Sequence, residues 1–594
     1  MRRTLVVLCA LAGVLTTLAG CAGLPDSGPV KSASEGQSSV QAGGFDYHPR
    51  GPLPGDSPEE IVDGFLDSMR ETPLTFSAAR QFLTQSASSG WTPSKRTLVY
   101  ADSSLTTEPG NTSAAGSDVR VTLGSAVQLD SRGGWQGAAN HGRSITSDLR
   151  LVQAKGEWRI DNPPDALIVP RNHFDTRYLR FNLYFFEPTA HILVPEPVYL
   201  PAGATLPTLL VDGLLQGPAP DLKSVERTFF PDGTKLDISA PVAHDVAQVP
   251  LSREFLDIDG DRLDRALAQL AWTLRQVPGV ERLRVTVDDT PLDQSTGASA
   301  TTGWAGYDPA LTSASQELFG LHDGVVVSTD VRSTDPSTKL TEVFDGRPLR
   351  SFAVSLTADS DDSRVAGVSA DGRQLLDAPR VEPAGSKPAP ETVYSGVDLS
   401  NPSYDLHDFL WVADDRAGGA RIRVVRGGRW KTLVAPGITG GDVARLKVSR
   451  DGTRLAALVD GKVVVARISR SQQGRPTGVS PAVRVGAAQL RGESLAGPGA
   501  DIAFSDPATL GVLIAPGSGS TGLAKVSVDG SFVASRDNTT PETLFEPGRA
   551  LVTWPGSSAP VFVQTRAGKL YRLTSSGHWD PTELPSLRLP AFAG

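Results

Sequence analysis

Two cysteines, Cys9 and Cys21, are all that the 594 residues contain. Both stand at or before the edge of an N-terminal apolar run, so the folded remainder has no thiols for internal disulfides or for a cysteine-ligated zinc site. Histidine is scarce too: eight are present and no two stand three or four apart, which excludes the paired-histidine helix of zinc hydrolases. Basic residues are in deficit, with 57 Lys and Arg against 66 Asp and Glu for a net charge of −9. That balance repels nucleic acid backbones and anionic headgroups. No P-loop is present, and no G-x-G-x-x-G follows a strand. The nearest approach to a nucleophile elbow, Gly492-Glu493-Ser494-Leu495-Ala496, has alanine where the second glycine belongs and is read as a connection.

What is present begins with an address. Arg2 and Arg3 precede an uncharged run from Thr4 to Gly20, the pattern of an export signal over 1–20. Leu18-Ala19-Gly20-Cys21 resembles a lipobox, in which the Cys21 thiol receives diacylglycerol, a further acyl group such as palmitate can be added, and the chain is cut before that cysteine. Two or more acyl chains hold a protein at a membrane stably where one does not, so no transmembrane helix is expected. Losing Arg2 and Arg3 takes the net charge from −9 to −11. Only this arginine pair of a twin-arginine motif is present.

Length then sets the organisation. With 39% hydrophobic and 21% charged residues the chain is globular, and 594 residues exceed one core. Residues 21–54 are rich in Pro, Ser, Gly and Gln and read as a flexible tether. At Ser57-Pro58-Glu59-Glu60 a capping box starts a helix whose apolar face is Ile61, Phe65, Leu66 and Met69. A second short helix at 76–83 and strands at 98–100, 119–129, 145–152 and 158–160 follow, an α+β unit over 55–170 whose order resembles NTF2-like folds.

Residues 177–292 read as a strand from Tyr178, a helix from Leu206 ended by Gln216-Gly217-Pro218, a strand up to Leu251, a helix from Asp261, and an exposed or edge strand with Leu283, Val285 and Val287. Two helices on one mixed sheet is the economical arrangement. Leu214-Leu215-Gln216-Gly217-Pro218, Val249-Pro250-Leu251-Ser252 and Ala268-Gln269-Leu270-Ala271-Trp272 running into Val277-Pro278-Gly279 resemble the GerMN domain, an α/β unit. Asp257-Ile258-Asp259-Gly260-Asp261 starts like a calcium loop, but Arg262 and Ala268 occupy the required glycine and glutamate positions. It is read as a turn capped by Asp261.

Residues 293–315 form a Gly, Ser, Ala and Thr rich linker, in which Trp304-Ala305-Gly306-Tyr307 is exposed unless it docks between domains. From 316 to 588 the chain is all-β. Val-Ser-x-Asp-Gly occurs at Val368–Gly372, Val448–Gly452 and Val526–Gly530, with the aspartates 80 and 78 residues apart. That is close to twice the ~40-residue period of a propeller blade, and the segment accommodates about six or seven blades.

This order, lipobox, NTF2-like unit, GerMN block and β-propeller, resembles the LpqB family of actinobacterial lipoproteins over nearly the whole chain. The resemblance implies a non-enzymatic accessory of the MtrA and MtrB two-component system. It would be anchored on the outer face of the cell membrane, contact the extracellular domain of the sensor kinase MtrB and serve envelope homeostasis and division. No catalytic residue is carried over from it, and the residues themselves offer no cofactor, metal or catalytic site; Cys21 is the single site residue. A second reading is a peptidoglycan or glycan binding protein, and a third is an envelope glycan-degrading enzyme.

Overall fold

The computed structural model describes residues 47–594 apart from 73, 108–115, 137–143, 293–296, 311–315, 332–336, 358–361, 382–388, 494, 496, 498, 516–518, 532–541, 557–558 and 585–586. Cys21, the export signal and residues 21–46 of the tether therefore lie outside the described residues, as do Ser494 and Ala496 of the glycine-rich loop.

The first ordered helix, α1 (Pro58–Ser68), starts as its sequence dictates. The Ser57 side chain accepts from the Glu60 amide, the Glu60 carboxylate accepts from the Ser57 amide, and proline takes the first turn. Its buried face, Ile61, Val62, Phe65, Leu66 and Met69, seals two sheets. Short helices α2 (Ser77–Gln81) and α3 (Gln85–Gly90) follow. Strands β1 (Thr97–Tyr100), β2 (Asp102–Thr107), β3 (Ser117–Gly124), β4 (Val127–Leu129), β5 (Ile145–Ala154), β6 (Glu157–Ile160) and β7 (Leu167–Pro170) complete the region before helix α4 (Arg171–Arg177). The continuous strand expected at 119–129 is broken after β3, where Ser125 takes a positive φ of 50°. This bend separates an antiparallel sheet β2-β3-β5-β6 from a smaller sheet β4-β1-β7, whose β1 and β7 run parallel.

The next region departs from the single mixed sheet expected. Strands β8 (Tyr178–Phe186) and β9 (Leu193–Pro201) form a two-stranded antiparallel ribbon of their own. Pro195 and Pro197 leave β9 without two of the amide donors that a wider ladder needs. Helix α5 (Leu206–Leu215) ends where Gly217 adopts φ 75°. The second sheet holds β10 (Val242–Ala243), β11 (Val246–Leu251), β12 (Arg282–Val287), β13 (Thr290–Pro291) and β14 (Ser299–Ala300). Strand β12 is not an edge: it lies parallel to β11 and between it and β13 and β14, with Leu283, Val285 and Val287 buried. The alternation that suggested exposure marks instead one face on the core and one facing out.

Helix α6 (Gly260–Leu274) begins one residue before Asp261, with Asp259 at the N-cap position and Asp261 in the first turn, so the capping assignment moves by two. The stretch read as a linker gives β14 to the sheet and folds back onto α6. Trp304 Nε1 and Tyr307 Oη donate to the two oxygens of Asp264, each at 2.8 Å, and Tyr307 meets the Phe186 ring edge-on at 5.0 Å.

The remaining described residues form a propeller of six blades, spanning 318–341, 349–395, 398–433, 443–484, 501–527 and 548–581. The first blade takes its innermost strand, Arg588–Ala591, from the far end of the region, pairing with Leu318–His322 and closing the ring. The blades are uneven in length, so the near-double spacing of the Val-Ser-x-Asp-Gly copies is not a blade repeat. Asp371 follows the second strand of its blade, Asp451 the first and Asp529 the third. All three glycines take positive φ, 74°, 70° and 79°, which is what the three turns share.

Candidate functional site

Strand β9 joins all three regions. Its run Leu193 to Pro201 is apolar except for Glu196, held between two prolines. Glu196 Oε1 accepts from Arg454 Nη2 at 2.6 Å and from Arg467 Nη1 at 2.7 Å, and its Oε2 accepts from Arg467 Nη2 at 2.9 Å. Arg454 is fully buried and also donates to the Pro195 carbonyl and, at 3.0 Å, to Asp451 of the second Val-Ser-x-Asp-Gly turn. Burial by itself would raise the Glu196 carboxyl, but Arg467 and Arg454 outweigh it and hold the group at about 2.

A second acid complicates this cluster. Glu226 is 2% exposed, neither oxygen accepts a hydrogen bond among the described residues, and its nearest cation, Arg467, is 3.9 Å away. Burial and the neighbouring Glu196 carboxylate push its carboxyl well above the usual range. Two arginines face Glu196, Asp451 and Glu226, so a proton on Glu226 balances the charge and gives it a donor to offer Glu196.

Tyr199, three residues further along β9, is the second anchor. Its ring packs on Trp135 and Phe174 with centroids 5.8 and 6.2 Å away, while its hydroxyl lies 3.1 Å from Asp529 of the third Val-Ser-x-Asp-Gly turn and bonds Ser531. Its amide donates to the Gly133 carbonyl at 2.9 Å. Gly133 has φ 87°, and a Cβ there would sit 2.8 Å from the Tyr199 carbonyl oxygen, so only glycine fits. Beside it, Arg132 donates to the Gly217 carbonyl at 3.1 Å and Ser131 to Gln216 at 2.6 Å, so the Gln216-Gly217 helix stop also serves as a docking point. Arg180 on β8 adds a 2.8 Å bond to Thr509.

On the propeller axis lies a channel of about 680 Å³, lined by the innermost strands of all six blades. Arg450 closes it at the end where those strands finish. Its guanidinium donates to the carbonyls of Ala310 and Ala593 at 3.0 and 2.8 Å, lies over the Trp554 ring, and is lowered by burial to about 10. The docked β9 region occupies that same side, through Asp451 and Asp529. At the opposite mouth Arg350 pairs with Asp398 at 2.6 Å, and Arg445 with Asp501 at 3.1 Å. Asp415 is raised by burial and by the nearby Asp442, Asp398 and Asp414.

Sequence reasoning singled out Cys21, which lies outside the described residues, and it missed the junction and the channel. One signal was available: a glutamate between two prolines inside an apolar strand has to find a buried partner. The aspartates at 451 and 529 were read as turn formers only, and two of the three copies also dock β9. Among the described residues no group of three His, Cys, Asp or Glu side chains is placed to hold a metal, and no helix is long and apolar enough to cross a membrane.

Comparison with known proteins follows the same divisions. Residues 51–175 match the family described as Lipoprotein LpqB, N-terminal domain, and residues 325–564 match the Lipoprotein LpqB beta-propeller domain. Residues 182–293 match Sporulation and spore germination. Lipoprotein LpqB of Thermobifida fusca is 29% identical over 509 residues, covering 76% of this chain and 79% of that protein. The chain belongs to the LpqB lipoprotein family. The LpqB protein of Mycolicibacterium smegmatis is 28% identical over 503 residues, with 80% of this chain and 81% of that one covered. Among solved structures, the first GerMN domain of the sporulation protein GerM from Bacillus subtilis is 17% identical, covering 92% of that domain and 20% of this chain at a TM-score of 0.18. Membership of the LpqB family supports an extracytoplasmic lipoprotein.

Proposed function

We propose that the chain is an accessory protein held at the outer face of the cell membrane by lipid on Cys21, where it binds the extracellular domain of a sensor histidine kinase of the MtrB type and biases its signalling state. The observation that supports this reading is the junction on β9: three recognition units are joined through buried bonds of Glu196 and Tyr199, so their outer surfaces reach a partner in fixed relation. A lipid anchor confines such a body to the membrane plane and raises its effective concentration beside a membrane kinase. Differential affinity for two kinase states then shifts their populations.

The test uses the full lipidated chain and the kinase in one proteoliposome. Kinase autophosphorylation changes when the chain is present, and the chain binds the isolated sensor ectodomain; no binding and unchanged phosphorylation overturn the reading. Cys21→Ala is expected to move the protein out of the membrane fraction, read by fractionation and blotting.

The open channel favours a second reading, glycan or peptidoglycan binding, since its volume suits a small-molecule site. Co-sedimentation with purified sacculi tests it. A glycan-degrading activity is the third, motivated by Asp415, whose raised carboxyl beside Asp442 is the environment of a proton donor. Release of soluble fragments from sacculi, lost in Asp415→Asn, would support it, and no release would remove it.

A further inference from the structure

The inner strand Val443–Val448 sets an unusual alternation along the channel wall. Leu446 and Val448 point into the packed core between blades, while Arg445 and Lys447 line the channel. Placing two cations side by side in a confined space is costly unless each has a counter-charge. Arg445 has one in Asp501. Both Asp501 oxygens are then used, Oδ1 by Arg445 and Oδ2 by the Leu551 amide at 2.8 Å. Lys447 is left with no hydrogen bond or ion pair among the described residues.

The same imbalance continues to the mouth. Arg549 and Arg566 line the channel from the sixth blade, are exposed, and make no ion pair among the described residues. Arg350 is matched by Asp398. Six cations, Arg350, Arg445, Lys447, Arg450, Arg549 and Arg566, line the channel against the four acids Asp398, Asp415, Asp442 and Asp501, so the lining is positive in a chain whose net charge is −9.

We propose that the propeller channel is a binding site for a small molecule bearing an oxyanion, a carboxylate or a phosphate, which enters at the mouth opposite the docked β9 region and seats its charge against Lys447. Arg549 and Arg566 draw the anion in, and Arg450 closes the far end, so the ligand is held in a blind pocket. The volume, about 680 Å³, admits something of disaccharide or short-peptide size and excludes a folded partner. Burial lowers the Lys447 ammonium below the ordinary lysine range, with Asp501 opposing and Arg445 adding to the shift, and a bound anion would restore it. The site is independent of the kinase reading: it concerns the channel, and a failure of one leaves the other intact.

The experiment is calorimetric titration of the full chain in detergent with inorganic phosphate, with N-acetylmuramic acid as a carboxylate, and with N-acetylglucosamine as the neutral control. Saturable binding of either anion, absent for the neutral sugar and weakened at least tenfold in Lys447→Met, is expected. Phosphate binding alone assigns a phosphoryl ligand, and N-acetylmuramic acid binding alone assigns a carboxylate. A second measurement needs no variant: amine labelling followed by peptide mass spectrometry, in which the bound anion protects Lys447 and leaves Lys95 labelled as before. No saturable binding of either anion, equal binding by Lys447→Met, or unprotected Lys447 overturns the proposal.

Discussion

The β9 junction and the channel mouth are both built from arginines, under opposite conditions. At the junction Arg454 is wholly buried and each of its charged partners lies within 3.0 Å. At the mouth Arg549 and Arg566 stand in solvent with no partner among the described residues. The first arrangement gives each arginine a carboxylate and so fixes domains to one another; the second leaves charge to be satisfied by something from outside. The difference lies in where the counter-ion comes from: at the junction it is supplied by a residue 258 positions away in the same chain.

Removing the junction's central acid breaks this comparison most strongly. Glu196→Ala leaves Arg454 with Asp451 alone and takes from Arg467 both of its hydrogen bonds to a carboxylate, a loss of about 3–5 kcal/mol, measured as a fall in the urea midpoint. Tyr199→Phe deletes the hydroxyl shared with Asp529 and Ser531 and costs about 1–3 kcal/mol by the same measurement.

Glu226 tests the protonation of the cluster. Its folded-state carboxyl is raised, so the folded protein holds a proton that the unfolded chain releases above the ordinary carboxylate pKa; the penalty grows as pH climbs from there toward the raised value. Glu196 behaves oppositely: its contribution is present above the ordinary carboxylate range and is lost as pH falls toward about 2. Glu226→Gln is therefore expected to gain on the order of 1 kcal/mol over the parent at pH 7 and almost nothing at pH 4, read from urea midpoints across pH. A gap that does not widen with pH would show that Glu226 is ionised.

The smallest effect belongs to the mouth. Arg549→Ala is expected to change stability by less than about 0.5 kcal/mol, again by urea midpoint. A large loss would mean that this arginine is structural and that the contrast with the junction is false.

Local signals in the sequence carried a good deal of the fold. Ser57 and Glu60 announce a helix start because both halves of the box lie within four residues, and Gly217 marks a helix end because its backbone conformation excludes side chains. Asp-Gly turns separated the strands of the ring even though their spacing misled about its period. What escaped was long-range. The alternation of Leu283, Val285 and Val287 shows one buried face but not how many neighbours the strand has. Arg454 looks like an ordinary residue after a turn until Glu196 arrives from another region. The channel is illegible for the same reason: Lys447, Arg549 and Arg566 converge only once six sheets are arranged around an axis.

The pairing of Leu318–His322 with Arg588–Ala591 also sets a timetable. A chain exported from its N-terminal end, and held by lipid on Cys21 as proposed above, would be tethered before the segment that clasps the ring has crossed. During that interval the first blade presents a naked edge, ready for a protease or for another nascent chain. A product truncated after Pro581 would keep that open edge permanently. A chain ending at Pro581 is expected to be digested faster than the whole chain in limited proteolysis.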